Sequence, residues 1–426
     1  MIPNILDTLN DRGFVSQTSH PDLRDKLAGP TVLYAGFDPT AESLHIGNLL
    51  QILLLSQFQR HGHHPVALIG GATAMIGDPS GKSQERNLLD EDTIQRNLAG
   101  IRSQLERFLD FTADVANPAR LVNNADWIGP FSFIAFLRDV GKHFRVGEMM
   151  GKESVRKRLQ SDAGMSFTEF SYQLLQAYDF HYLHRHLDCK LQVGGDDQWG
   201  NITAGIDLTR RLDRAEVYGL TSPLLTTATG AKFGKTEAGT IWLDANRTSP
   251  YEFYQYWVRV DDRDVIKMLK LFTYLDLNDI AELEGQVAAA PETRTAQQVL
   301  AEEVTRLVHG DAGVTAAKNA SQVLFGQEIT GLSDHELAAI FADVPSSEFD
   351  RARLNDGLPL LDALVETGVC PSRGQAKKLI QSGGVYLNNR RVNGLETVLT
   401  PESLAGQSTL VLRTGKKNYH LVRFPH

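Results

Sequence analysis

The sequence is poor in cysteine and has no long apolar run. Its two cysteines, Cys189 and Cys370, lie outside any CxxC pattern, so neither a disulfide framework nor a cysteine zinc site is expected. Since no run reaches about 18 apolar residues, no membrane-spanning helix is expected. The first residues, Met1–Asp11, include acids and no basic or apolar leader, so no targeting peptide is expected. These features predict a cytoplasmic protein without a membrane partner.

Charge is distributed unevenly along the chain. The 426 residues carry a formal charge of −9, which taken whole argues against binding to nucleic acid. Residues 351–426, however, hold eleven Lys or Arg against five Asp or Glu, a net charge of +6 that leaves −15 on residues 1–350. A basic terminal module on an acidic body indicates a polyanionic partner.

Short apolar strands alternate with helices in the first part of the chain. Residues 31–37, 65–70 and 190–193 are predicted to be buried strands, and an apolar helix is expected from about His45 to Arg60. This alternation is typical of α/β proteins, in which helices cover both faces of a parallel sheet and ligands bind where strands end. We predict a Rossmann-like parallel-sheet domain.

Domain boundaries follow from the change in pattern. The Rossmann-like domain is predicted over residues 1–246, and the helical period that then dominates predicts a helical domain over residues 247–345. The stretch 345–348 is interpreted as a boundary before the basic module, residues 351–426.

The segment His45-Ile-Gly47-Asn48 opens a predicted helix directly after a strand and loop. A helix N-terminus offers unpaired N–H groups that suit a phosphate, and His45 and Asn48 share one face. Gly47 would let a flat base approach the backbone. The alternative is that His45 only caps the helix and Gly47 only permits packing.

A second candidate is Lys232-Phe-Gly-Lys235-Thr236, in a Gly- and Thr-rich stretch predicted to be a mobile loop. Two ammonium groups three residues apart can bind an oligophosphate while charge develops on it. The alternative is a solvated loop that happens to carry two lysines.

A polar stripe marks the helix predicted to open at Ser166, where the sequence fits a capping box. Tyr172, Gln176 and Asp179 fall at i, i+4 and i+7, which places them on one face. Such a stripe could bind a zwitterionic or phenolic ligand. A solvent-facing side is the alternative, although the flanking sequence is apolar.

Glycines, acids and an amide follow the strand that ends near Val193. Gly195 precedes Asp196, Asp197 and Gln198, and acids at this point of an α/β sheet can hydrogen-bond ribose hydroxyls. They can also cap the next helix, and both roles can hold at once.

Two other patterns are rejected as sites. Gly81-Lys82-Ser83 resembles the end of a phosphate-binding P-loop, but the position where that motif needs its first glycine holds Ile76. The histidines His181, His184 and His186 lack accompanying residues at metal-ligand spacing, so no metal site is predicted.

Together the four motifs resemble those of class I aminoacyl-tRNA synthetases, in particular bacterial tyrosyl-tRNA synthetases, over essentially the whole chain. Tyr34–Thr40 with His45–Asn48 is similar to the first signature, and Lys232–Thr236 to the tyrosine form of the second. The first signature often ends in His, where this chain has Asn48. The second often reads Lys-Met-Ser-Lys-Ser, and both lysines are kept here.

The resemblance implies that tyrosine and ATP form tyrosyl-adenylate and that tyrosine passes to the 3′-terminal adenosine of tRNA(Tyr). Mg²⁺ would arrive with ATP, and no resident cofactor is expected. Residues expected to act in catalysis are Thr40, His45, Asn48, Lys82, Arg86, Lys232, Lys235 and Thr236. Tyrosine would contact Tyr34, Asp78, Tyr172, Gln176, Asp179 and Gln198, with the phenol at Tyr34 and Asp179. ATP would contact Gly36, Asp38, Gly47, Gly195, Asp197 and Lys235.

The basic module resembles the small α+β RNA-binding fold of a ribosomal small-subunit protein. The resemblance implies that five cations face RNA phosphates, namely Arg373, Lys377, Lys378, Arg390 and Arg391. The alternative is a solvated basic surface.

An apolar cluster lies in the region that the family uses for its two-fold contact, and a homodimer is therefore expected. Its members are Phe131, Phe133, Ile134, Phe136 and Leu137. The alternative is an internal core helix.

Three other functions stay open. Tryptophanyl-tRNA synthetases share the fold but usually lack such a basic tail. Nucleotidyltransferases with a His-Ile-Gly-like signature lack the second lysine motif and the helical domain. An RNA-binding protein could have kept the fold and lost catalysis, although the intact signature residues argue against it.

Overall fold

The computed structural model describes residues 4–80, 90–160, 164–228, 230, 233–236, 239–324, 326–341, 344–415 and 418–425. Lys82, Arg86 and Lys232 therefore lie outside the described residues, and of Lys235 and Thr236 only the backbone is described. The described chain divides into two compact units: Met1–Arg247 with Trp257–Val308, and Thr248–Tyr256 with His309–His426. The three-domain division remains a prediction.

Helices and strands alternate along most of the chain. The α-helices are α1 (Ile5–Arg12), α2 (Leu23–Lys26), α3 (Ile46–Arg60), α4 (Glu91–Leu105), α5 (Ala125–Ile128), α6 (Phe133–Asp139), α7 (Val146–Gly151), α8 (Glu153–Leu159), α9 (Phe167–Leu187), α10 (Trp199–Asp213), α11 (Pro250–Val258), α12 (Asp262–Phe272), α13 (Leu277–Ala289), α14 (Thr295–Leu324), α15 (Asp334–Ile340), α16 (Arg351–Asn355), α17 (Leu360–Glu366) and α18 (Arg373–Gln381). Among the helices of the described residues, none has the length and apolarity that crossing a bilayer requires.

The strands form one large sheet in the first unit and smaller sheets elsewhere. They are β1 (Gln17–Thr18), β2 (Val32–Phe37), β3 (His64–Ile69), β4 (Arg120–Asn123), β5 (Cys189–Gly195), β6 (Tyr218–Ser222), β7 (Lys235–Thr236), β8 (Gly239–Thr240), β9 (Ser346–Glu348), β10 (Leu358–Pro359), β11 (Val385–Leu387), β12 (Arg390–Arg391), β13 (Val398–Leu399), β14 (Thr409–Thr414) and β15 (Asn418–Arg423).

The sheet of the first unit has the order β1-β6-β5-β2-β3-β4. Neighbouring strands are parallel except β1 and β6, which are antiparallel. Parallel strands are buried on both faces, and this explains why β3 is an uninterrupted apolar run from Pro65 to Ile69, all of it buried. The predicted α/β class with a parallel-sheet core is confirmed.

Local sequence fixes where the two helices nearest the site begin. α3 starts one residue later than predicted, since His45 is its N-cap residue. At α9 the Ser166 hydroxyl accepts a hydrogen bond from the backbone N–H of Glu169 at 3.2 Å, as the sequence predicts. The Glu169 carboxylate in turn accepts a 2.8 Å bond from Arg158, and both side chains are buried. This pair ties the first turn of α9 to α8.

The second unit contains the C-terminal α+β fold. α14 breaks at Gly310, whose φ of +71° is non-helical. Beyond the break, the five-stranded sheet has the order β12-β11-β14-β15-β9, and β9 lies parallel to β15 at its edge. The stretch interpreted as a boundary, 345–348, therefore contributes a strand to this sheet. Val411 and Leu421 of the sheet pack in one core with Ala320 and Val323 of α14.

Candidate active site

The centre of the first sheet has the strand order at which parallel-sheet proteins bind ligands. From β2 the strand order continues through β3 and β4 in one direction and through β5 and β6 in the other, so the direction switches between β2 and β5. Of the predicted site residues, Asp38 directly follows β2, while Asp197 and Gln198 follow β5. Gly36 and Thr40, at the same end of β2, are exposed.

Tyr34 on β2 and Asp179 on α9 provide a buried phenol and a buried carboxylate. Asp179 on α9 accepts hydrogen bonds from Asn124 Nδ2 at 3.0 Å and from Trp127 Nε1 at 2.8 Å. Tyr34 on β2 is 1 % exposed and Asp179 is 2 % exposed. Within the described residues, the Tyr34 hydroxyl has no hydrogen-bond partner. Because an unpaired buried hydroxyl is costly, the pair suits a ligand with one polar atom at this point.

Burial sets the protonation of this pair. It raises the pKa of Asp179 to about 7, although the hydrogen bonds from Asn124 and Trp127 lower it. Burial and the Asp179 charge raise the pKa of Tyr34 well above its ordinary value. At pH 7 Tyr34 is therefore a neutral hydrogen-bond donor, while Asp179 changes charge near neutrality.

Asp38 joins the two predicted subsites. Its carboxylate accepts bonds from the Tyr172 hydroxyl and from the Thr73 hydroxyl, each at 2.9 Å. A side chain on Gly70 would overlap Asp38 and Thr73, so glycine is required there. Asp38 was predicted to contact ATP and Tyr172 to contact tyrosine, and the hydrogen bond brings these two residues into direct contact.

An amide network links the remaining predicted tyrosine contacts. The Asp78 carboxylate accepts a 2.8 Å bond from Gln198 Nε2. Asn201 Nδ2 donates to Gln176 Oε1 at 2.9 Å and lies 3.3 Å from Gln198 Oε1. Asp78, Gln176 and Gln198 are thus held as one group by Asn201, at the start of α10.

The start of α3 has the geometry of a capped helix terminus. The His45 backbone N–H donates to Asn48 Oδ1 at 3.1 Å. A Cβ on Gly47 would lie 2.8 Å from Cε1 of the His45 imidazole, so the absent side chain leaves room for this ring. From the sequence, a nucleobase is predicted to approach the backbone at Gly47. The space beside Gly47 also accommodates the His45 ring.

The second signature lies against the first. Gly234 lies beside Ile46 and Gly47, with 3.6 Å between an ideal Cβ on Gly234 and the Gly47 nitrogen. The backbone N–H of Ile46 donates to Ile241 at 3.1 Å, and His45 forms a β-bridge with Trp242. Two motifs far apart in sequence therefore share one surface at the N-terminus of α3.

The two acids after β5 differ in their surroundings. Asp196 accepts hydrogen bonds from Ser16, Gln17 and Thr221, at 2.7, 3.1 and 2.6 Å. These bonds secure β1 to β6, so Asp196 has a structural role. Asp197, the residue predicted to meet ribose, is only partly buried.

Four side chains of the site were not predicted: Thr73, Asn124, Trp127 and Asn201. Asn124 is central among them, because it also donates to the Thr73 hydroxyl at 3.1 Å and accepts from the Ala72 N–H at 2.8 Å. Polar residues that follow a strand end, here β4, were the signal that could have identified it.

The predicted RNA-binding cations occupy α18 and the β11–β12 hairpin. Lys377 and Lys378 are exposed on α18. Arg373, also exposed, forms an ion pair with Asp362, and Arg390 forms one with Glu328. Arg391 donates to the Ser382 carbonyl at 3.3 Å. Such exposed pairs contribute little to stability and leave the cations able to exchange partners.

The cluster predicted at a two-fold contact is divided between exposed and half-buried side chains. Phe133 is 64 % exposed and Ile134 is 71 % exposed. Phe131 and Phe136 pack edge-to-face on each other and on Tyr178 of α9. One face of α6 therefore packs inward while the other presents large apolar side chains.

Comparison with known proteins covers nearly all of the chain. Residues 26–326 match the family model described as tRNA synthetases class I (W and Y), and residues 336–422 match the tyrosine–tRNA ligase SYY-like C-terminal domain. The tyrosine–tRNA ligase of Rhodopirellula baltica is 52 % identical over 99 % of this chain and 96 % of its own length. The chain belongs to the tyrosine–tRNA ligase family. The family's Geobacillus kaustophilus member is 52 % identical over 99 % of this chain and 100 % of its own.

Solved structures of the family share the fold. The C-terminally truncated mitochondrial tyrosyl-tRNA synthetase of Coccidioides posadasii is 36 % identical, with a TM-score of 0.65 over 75 % of this chain and 92 % of its own. Membership confirms the resemblance drawn from the motifs. It also separates this chain from the tryptophan branch, because the relatives at about half identity are tyrosine–tRNA ligases.

Proposed function

We propose that this chain activates L-tyrosine with ATP and transfers it to the 3′-terminal adenosine of tRNA(Tyr). The observation that carries the proposal is a pair of buried polar groups, the Asp179 carboxylate and the Tyr34 hydroxyl, which has no hydrogen-bond partner among the described residues. The Tyr34 ring packs edge-on against Phe180, the residue that follows Asp179. A substrate phenol placed at this pair can accept from Tyr34 and donate to Asp179. Phenylalanine would satisfy neither group.

The polar network of Asp78, Gln176, Gln198 and Asn201 suits the ammonium and carboxylate groups of an amino acid. Asp78, Tyr172 and Gln176 are assigned to the α-ammonium group, and Gln198 to the carboxylate. Asp78 is 7 % exposed and already held by Gln198, so its charge is fixed in place before substrate enters. Such preorganised charges cost little reorganisation when the substrate binds.

Activation requires no protein nucleophile. A tyrosine carboxylate oxygen attacks the α-phosphorus, and the bond to the bridging oxygen breaks, so pyrophosphate leaves with that electron pair. Positioning and charge stabilisation then supply the catalysis. The residues assigned to the departing phosphates are Thr40, His45, Asn48, Lys82, Arg86, Lys232, Lys235 and Thr236. Those assigned to the rest of the nucleotide are Gly36, Asp38, Gly47, Gly195 and Asp197. Mg²⁺ accompanies ATP and neutralises its phosphates.

ATP–pyrophosphate exchange with tyrosine, phenylalanine and tryptophan tests the proposal. Tyrosine is expected to support exchange and the other two to support little. Exchange with tryptophan alone would assign the chain to the other branch, and no exchange with any of them would favour an RNA-binding protein without catalysis.

The Asp179 pKa predicts a pH dependence. Only the ionised carboxylate can accept a hydrogen bond from the phenol without carrying a proton of its own, so kcat/KM for tyrosine should rise with pH, with a midpoint near 7. Phenylalanine does not bond to Asp179, so its kcat/KM should lack this step. Exchange rates measured from pH 5.5 to 8.5 with both substrates, in wild type and Asp179→Asn, would decide. If kcat/KM for tyrosine still rises with pH in Asp179→Asn, the titrating group is not Asp179.

We also infer a cytoplasmic homodimer in which the exposed face of α6 meets its copy. Phe133→Asp with Ile134→Asp should convert the dimer to monomer in sedimentation, because two charges replace two exposed apolar side chains. Phe167→Asp is a control of similar exposure, 69 %, on another helix. A wild-type monomer at micromolar concentration would contradict the inference.

A further inference from the structure

Three aromatic rings form a stack that leads from the surface to the Asp179 carboxylate. The Trp127 and Tyr182 rings are stacked with centroids 4.4 Å apart and planes 12° apart. The opposite neighbour of Tyr182 is His186, stacked at 3.9 Å and 21°. Trp127 is buried, Tyr182 is partly buried and His186 is exposed, so the stack runs from the interior to the surface.

Helix periodicity places the stack beside the substrate face of α9. Asp179 and Tyr182 are at i and i+3, and Tyr182 and His186 at i and i+4, so they follow one another along one side of the helix. Trp127 comes from α5 and contacts both parts, since its ring lies on Tyr182 while its Nε1–H bonds Asp179 Oδ1 at 2.8 Å. The Trp127 indole is therefore the ring through which the stack contacts the Asp179 carboxylate.

Further contacts restrict the movement of the hydrogen bond between Trp127 and Asp179. His186 Nδ1 lies 2.9 Å from the Tyr182 carbonyl oxygen, a contact that fixes the imidazole over the tyrosine ring. Stacked rings resist sliding and tilting, so Tyr182 holds the plane of the Trp127 indole and with it the direction of the N–H bond. Asn124 holds the other carboxylate oxygen. Asp179 therefore has one oxygen set by an amide and one set by the stack.

We propose that Tyr182, backed by His186, is a positioning residue that sets discrimination between tyrosine and phenylalanine by holding the Trp127 indole N–H on Asp179. The inference rests on the proposed role of Asp179 as acceptor for the substrate phenol. A carboxylate free to rotate binds the phenol less well, whereas phenylalanine makes no bond to it. Loss of the stack therefore weakens the binding of tyrosine and leaves the binding of phenylalanine unchanged.

The test compares Tyr182→Leu with Tyr182→Phe in ATP–pyrophosphate exchange. Tyr182→Leu removes the ring, and the worth of one stacked pair predicts a rise of about three- to tenfold in KM for tyrosine with little change in kcat. The ratio of kcat/KM for tyrosine over phenylalanine should fall by the same factor. Tyr182→Phe keeps the ring and should restore the wild-type ratio. Equal losses with both substrates, or a ratio unchanged in Tyr182→Leu, would overturn the proposal.

Two further measurements cover a folding defect and a failure of the underlying function. His186→Ala alters only an exposed ring and should lower the ratio about twofold without unfolding the protein; no fall would count against the stack. In ¹⁵N-indole spectra, with the Trp127 signal assigned from Trp127→Phe, that signal should move in Tyr182→Leu and stay in Tyr182→Phe. If neither Tyr182→Leu nor Asp179→Asn changes the ratio of kcat/KM for tyrosine over phenylalanine, the proposed role of Asp179 is wrong. If Asp179→Asn lowers the ratio and Tyr182→Leu does not, Asp179 keeps its role and only the proposal for the stack is wrong.

Discussion

Asp179→Asn is expected to lower kcat/KM for tyrosine by about tenfold to a hundredfold, because a hydrogen bond to a charged group contributes about 1.5–3 kcal/mol. The amide cannot carry the charge, and its NH₂ group presents donors where Asn124 and Trp127 already donate. The change in kcat/KM for phenylalanine should be small. Steady-state exchange with both amino acids measures the ratio.

Glu169→Gln provides a matched control for that result. Glu169 is also a buried carboxylate on α9, but it is paired with Arg158 rather than directed at the site. Its loss should lower the free energy of unfolding and leave the ratio of tyrosine to phenylalanine unchanged. Tyr34→Phe should reduce the ratio as Asp179→Asn does. An unchanged ratio in both Tyr34→Phe and Asp179→Asn would remove the pair from substrate recognition.

Replacing Arg373, Lys377 and Lys378 together by Gln is expected to impair tRNA charging on the order of tenfold to a hundredfold while sparing adenylate formation. Each cation that meets a phosphate releases counterions, so the slope of log KM against log salt concentration should fall by about 1 per residue. Aminoacylation across a salt series and ATP–pyrophosphate exchange would be measured on the full-length protein.

Arg353→Gln is the control for the loss of charge alone. Arg353, on α16, is paired with Glu366 at 2.7 Å and is not among the cations predicted to face RNA, so its removal should leave charging nearly unchanged. Deletion of residues 351–426 is less informative, since it would expose Ala320 and Val323, which pack against Val411 and Leu421. If charging by the triple variant keeps the wild-type rate and salt slope, the +6 of this module is a solvated surface.

Local patterns predicted the parts of the site that lie within single elements. The 3.6-residue period placed Tyr172, Gln176 and Asp179 on one face of α9, and Ser166 marked where that helix begins. His45 was correctly placed at the start of α3. These features depend on neighbours in sequence, which is why a single chain reveals them.

Contacts between distant elements could not be predicted in the same way. Asn124 and Trp127 reach Asp179 from 55 and 52 positions away, and the bond from Tyr172 to Asp38 spans 134. No period or cap records such pairings, since they depend on how β2, β4 and α9 come together. For the same reason the sequence did not indicate β9 within the stretch 345–348, because the only signal of this strand is its pairing with β15.

The helix α9 also constrains how this protein can change in evolution. It carries the predicted substrate face and the aromatic stack along one side, between an N-cap at Ser166 and a left-handed C-cap at Asp188. One inserted residue after Tyr172 would rotate everything beyond it by about 100° and advance it by about 1.5 Å. Asp179 and Tyr182 would then leave Tyr34 and Trp127 together. Substitutions can change the residues of this helix one at a time, whereas an insertion or deletion within it displaces the predicted substrate face and the aromatic stack together.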